Sequence, residues 1–60
     1  MNGKDVRVLI KSSKLNIWQV ADKYGVADTT FSKYLRPNYD FNDDDTERVL
    51  AIIDELKANA

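Results

Sequence analysis

Gly25 constrains this chain more than any other residue, because it stands one place past the end of an apolar stripe with helical spacing. Ile17, Val20, Ala21 and Tyr24 recur at i, i+3, i+4 and i+7, the one-sided pattern of an amphipathic helix. A glycine directly after such a stripe takes the left-handed conformation that ends a helix, since it alone carries no side-chain penalty there. Val26 then turns inward, and Phe31, Tyr34 and Leu35 open a second stripe. Pro37 disfavours helical geometry at Arg36, so this next helix, starting near Asp28, is expected to run for about two turns. Ala21, four residues before Gly25, is small enough to let the two helices cross closely. The chain must therefore bend at residue 25 into two short packed helices.

The flanking segments read as helices too, and no segment reads as a strand. The first helix is expected from about Lys4 to Ser12, capped by Asn2, with Asp5 three residues later as the reciprocal acceptor. Val6, Leu9 and Ile10 form its apolar stripe, and Lys11 and Lys14 lie where the helix dipole favours cations. Asn16 is expected to cap the second helix. After a loop over 37–42, the C-terminal helix is expected over about 43–57, capped by Asn42, with Phe41 packing back before the cap. Its apolar face consists of Val49, Leu50, Ile52, Ile53 and Leu56. The expected architecture is all-α, with four helices forming a single domain over 1–60.

Sixty residues bury a small core. The sequence contains no cysteine and no histidine, which removes disulfides, thiolate metal sites and the usual general base. Without these groups, and on a scaffold too small for a deep pocket, neither catalysis nor a cofactor nor a small-molecule substrate is expected. The acidic cluster over 40–47 lacks the alternating ligands and the glycine of a calcium loop, and helix capping with dipole complementation accounts for it. No metal is expected there. No apolar run is long enough to span a membrane and the N-terminus has no secretory pattern, so a cytoplasmic location is expected.

The formal charge of −1 conceals a division. Residues 1–39 carry Lys4, Arg7, Lys11, Lys14, Lys23, Lys33 and Arg36 against three aspartates, a net +4. Residues 40–60 carry seven carboxylates against Arg48 and Lys57, a net −5. A basic part that faces phosphate and an acidic part that faces away would produce this asymmetry, as would two ordinary solvated faces.

The stretch Trp18-Gln19-Val20-Ala21-Asp22-Lys23-Tyr24-Gly25-Val26, followed by Thr30-Phe31-Ser32-Lys33 and Leu35-Arg36, resembles the helix-turn-helix of the phage repressor and Cro-like (Xre-type) family. More closely, it looks like small proteins of Gram-positive prophages and integrative elements. The resemblance implies a lambda-repressor-like domain, with a motif over about 17–36, that binds double-stranded DNA by placing its third helix in the major groove. It also implies a transcriptional regulator. Two positions depart from the family pattern. Ile17 stands where a phosphate-binding glutamine is common, with Gln19 two residues on. Ala27 stands where serine often caps the third helix, and Asp28 would then cap instead, shifting the start by one residue.

On this reading Lys33 and Arg36 are the foremost DNA contacts, arginine to guanine and lysine to guanine or phosphate. Thr29, Thr30 and Ser32 are candidates for base edges or phosphate, Gln19 for backbone, and Asp28 chiefly for capping. Lys14 is a candidate phosphate clamp, and Trp18 is expected as a packing residue at the core boundary. One such module binds weakly, and a homodimer through Leu50, Ile53 and Leu56 of the C-terminal helix is the candidate remedy. The alternative is a helix-turn-helix used for protein interaction, an antirepressor or adaptor without direct DNA binding, which the net acidity favours.

Overall fold

The computed structural model describes residues 1–59. Within them the chain forms four α-helices: α1 (Gly3–Ser12), α2 (Ile17–Tyr24), α3 (Asp28–Tyr34) and α4 (Asp43–Ala58). Caps place three of the starts. Asn2 Oδ1 accepts the Asp5 amide at 2.9 Å, and Asn42 Oδ1 accepts the Asp45 amide at 2.8 Å. At α2 the cap works in reverse, with the Asn16 amide donating to Gln19 Oε1 at 2.9 Å. Each bond satisfies a backbone amide that has no partner inside its helix.

α1 and α2 end in the same way. Gly25 N–H donates to Asp22 O at 3.2 Å and Val26 N–H to Ala21 O at 3.1 Å, the paired bonds of a Schellman turn. Gly25 has φ 92°, the left-handed conformation expected of it. One helix earlier, Lys14 N–H donates to Lys11 O at 3.0 Å and Leu15 N–H to Ile10 O at 3.2 Å. There the left-handed residue is Lys14, with φ 60°.

The core is formed by Val6 and Ile10 of α1, Val20, Ala21 and Tyr24 of α2, and Phe31 with Leu35 from the region of α3. Phe41, Val49, Ile52 and Ile53 complete it from the α4 side. An aromatic chain ties these layers together. Tyr24 contacts Phe31 (ring centroids 5.4 Å), Phe31 contacts Tyr34 (6.3 Å), Tyr34 stacks on Tyr39 (4.8 Å), and Tyr39 meets Phe41 edge-on (5.0 Å). Of the side chains expected to form a dimer surface on α4, Ile53 is only 4% exposed and Leu56 packs against the core. Leu50 alone is exposed.

Two features position the end of α3. The N-terminal residues pair with the loop before α4: Gly3 N–H donates to Tyr39 O and Phe41 N–H to Met1 O, both at 2.8 Å, around an isolated bridge between Asn2 and Asp40. Gly3 is buried against the end of α3. A Cβ there would lie 2.0 Å from Tyr34 O and 2.6 Å from both the Arg36 amide nitrogen and carbonyl oxygen. Glycine is required at this position for space. Among the described residues no helix is long and apolar enough to cross a membrane.

Candidate functional site

α3 is short, and its inner face is fully used. Phe31 is completely buried and Tyr34 half-buried, while Leu35, its C-cap, is 3% exposed. Burying these three leaves Asp28, Thr29, Ser32 and Lys33 exposed on the other side. Thr29 and Lys33 lie one turn apart. Thr30 departs from this group: it is half-buried, at the margin between the inner and outer faces.

Arg36 lies outside the helix. α3 ends at Tyr34, and Arg36 follows the C-cap, so this foremost contact candidate belongs to the turn after the helix and not to its outer face. Its side chain is exposed, but its backbone is fixed, lying against Gly3 and accepting the Tyr39 amide at 3.0 Å. Lys33 and Arg36 border one shallow groove together with Asn38 and Tyr39.

Asp28 does not displace Ala27 as the cap. Ala27 is the N-cap residue, its carbonyl accepts the Phe31 amide at 2.9 Å, and the helix start is not shifted. From the first helical position, the Asp28 carboxylate accepts the Thr29 amide at 2.9 Å. It thus satisfies a first-turn amide while remaining exposed.

Trp18 corrects a further expectation. It is 59% exposed and is not a packing residue at the core boundary. The apolar stripe places Ile17, Val20, Ala21 and Tyr24 inward, which turns position 18 outward; the spacing already contained this signal. Trp18 borders a groove with Lys11, Leu15, Ile17, Asp28 and Ser32, so the outer faces of α2 and α3 meet there. Gln19, next to it, is half-buried, with its side-chain oxygen engaged by the Asn16 amide. That bond leaves the Gln19 side-chain NH2 as its free donor.

The charges divide by partner. Lys23 pairs with Glu55 at 3.5 Å, and Arg48 donates to the Tyr24 carbonyl at 2.6 Å while lying 4.3 Å from the centre of the Tyr24 ring. Arg48 thereby binds the carbonyl end of α2 just before Gly25. Nothing local in the sequence signals this contact, which spans 24 positions. Burial, followed by the Asp45 carboxylate, pushes the Tyr24 hydroxyl above its ordinary pKa, with Arg48 opposing. By contrast, Lys4, Arg7, Lys11, Lys14, Lys33 and Arg36 have no carboxylate partner among the described residues. These six lie in the N-terminal, basic part of the chain; in the C-terminal part Lys57 is likewise without a carboxylate partner among the described residues.

No family model matches the chain, and no curated protein or solved structure matches it.

Proposed function

We propose that the chain is a sequence-specific DNA-binding protein of the lambda-repressor-like helix-turn-helix type, a small regulator of the kind carried by prophages and mobile elements. α2, the turn at Gly25 and α3 make up the motif, and α3 enters the major groove. The supporting observation is the pairing pattern of the cations. Lys23 and Arg48, between α2 and α4, are engaged by the protein itself, whereas among the described residues Lys33, on the same helix face as the exposed Thr29 and Ser32, and Arg36 in the turn that follows have no carboxylate partner. An exposed hydrogen-bonding face with one free cation, and a second in the turn that follows, suits base edges and flanking phosphates.

The remaining residues take supporting roles on this reading. Arg36 reads or clamps from a fixed turn. Gln19, its oxygen held by the cap, offers its NH2 to a phosphate. Lys14 presents its ammonium at the entry to α2, where the first amides of the helix also favour an anion. Trp18 covers the junction of α2 and α3. Asp28 satisfies a helix amide and carries no base contact.

The test uses Trp18, the chain's one tryptophan, as the reporter. Its fluorescence is followed as the protein is titrated with mixed genomic DNA fragments over a range of salt. The expected affinity falls steeply with salt. For Lys33→Ala/Arg36→Ala the log–log salt slope should be reduced by up to about two, and binding weakened by about 2 to 4 kcal/mol. Binding that ignores salt, or is unchanged in the double variant, overturns the reading.

A further inference from the structure

α1 carries a basic face that the motif does not use. Lys4, Arg7, Val8 and Lys11 fall at i, i+3, i+4 and i+7, and all four are exposed. Val8 is 57% exposed, high for an aliphatic residue in a helix of this fold. With Leu35 and Pro37 these residues line an open groove of about 710 Å3. Its floor is mostly apolar and its rim cationic, and none of the three cations has a carboxylate partner among the described residues. A phosphate backbone has no use for an apolar floor. An amphipathic acidic helix does, because one apolar side chain fills the floor while flanking carboxylates meet the rim.

α4 presents such a helix. Glu47, Leu50, Ala51 and Asp54 repeat the same i, i+3, i+4, i+7 spacing, and all are exposed. Leu50, at 40% exposure, is flanked by two carboxylates with no cationic partner among the described residues. Asp43 and Asp44 extend the acidic face toward the start of α4. The two stripes share the i, i+3, i+4, i+7 spacing, and the charges at their ends are opposite. Leu50 and Ala51 meet Val8 while Glu47 and Asp54 meet the rim.

We infer that the occupant of the α1 groove is α4 of a second copy of this chain. The contact joins two different faces, so it is heterologous: each copy offers one acceptor groove and one donor helix. Such contacts join chains head to tail into rings or open filaments. This inference does not rest on the DNA-binding reading, and its test contains no DNA.

The experiment is sedimentation equilibrium of the full chain over a concentration series up to about 1 mM, at about 50 mM and about 500 mM salt. At low salt the wild-type mass rises with concentration from 6.9 kDa past that of two chains, and high salt returns it toward the monomer. Val8→Asp blocks the groove and Leu50→Asp blocks the donor helix. Both positions are exposed, and circular dichroism checks that each variant keeps its helices. Each variant alone stays monomeric. An equimolar mixture gives particles of two chains and no more, since the first retains a donor helix and the second a groove. A wild type that stays monomeric throughout, or stops at two chains, overturns the proposal, as does a mixture that fails to associate.

Discussion

The corner between α1 and α2 and the corner between α2 and α3 are built on the same hydrogen bonds with different residues. Both are Schellman turns, closed by the bonds of Lys14 and Leu15 in one and of Gly25 and Val26 in the other. Gly25 occupies its left-handed position without a side-chain penalty, whereas Lys14 at φ 60° carries a Cβ in the same region. The second corner is also reinforced from outside by Arg48, which binds the Tyr24 carbonyl and lies over its ring. A turn that orients α3 is thus relaxed and braced. A turn that presents a lysine at the entry to α2 is strained, and such strain is commonly kept where a side chain has a use.

The largest expected effect falls outside both corners, where the start of α1 lies against the end of α3. Gly3→Ala drives a methyl into Tyr34 O and the Arg36 backbone, so α1 must move off the end of α3. A loss of about 3 kcal/mol is expected, read by urea unfolding, with the midpoint collapsing in so small a domain. An unchanged midpoint would show that α1 can move off the end of α3 without cost.

Gly25→Ala comes next. It forces a Cβ into φ 92°, while the space around it is open, with the nearest side-chain atom 3.9 Å away. The loss is therefore purely conformational, about 1 to 2 kcal/mol by the same unfolding measurement. Arg48→Met retains much of the stem and removes the bond to Tyr24 O and the charge over its ring. Its expected cost is about 1 kcal/mol, and amide exchange should quicken around residues 24–26 before elsewhere.

Lys14→Gly makes the two corners alike. Relief of the left-handed strain outweighs the added freedom of the unfolded glycine, so a gain of about 0.5 kcal/mol is expected. On the proposed function the same variant binds DNA more weakly, with the log–log salt slope reduced by about one. Stability and binding moving in opposite directions is the signature of strain retained for use. If both stay unchanged, the comparison loses its functional meaning.

The last effect is a pH dependence that appears only on the alkaline side. Burial and Asp45 raise the Tyr24 pKa in the folded state, and burial followed by Tyr34 and Asp45 raises that of Tyr39. Protonated hydroxyls are thus favoured by folding. The associated stability is complete below the ordinary tyrosine value of 10.0 and declines as pH rises through the folded values. Tyr24→Phe/Tyr39→Phe should flatten the alkaline limb of a stability-versus-pH curve, and an equally steep limb would assign that loss to other groups.

Helices and their ends were largely legible in the sequence, because an amphipathic stripe, an asparagine cap and a glycine stop each act within one turn of chain. Asn2, Asn42 and Gly25 do what their positions imply. Lys33 and Ser32 are exposed on α3 because Phe31 and Tyr34 face inward, and that too is local periodicity. Trp18 could have been placed by the same rule, since its position lies off the stripe of α2.

The tertiary structure alone decided the rest. Gly3 is indispensable only because the end of α3 lies against it, and Arg48 braces α2 only because α4 packs beside it. Short-range geometry follows from the identity of neighbours in the chain. Which face is consumed, which cation is free and which backbone approaches most closely depend on the relative placement of whole helices. Gly25 stands between these regimes: its conformation was written locally, and the bracing of its turn came from a residue on another helix.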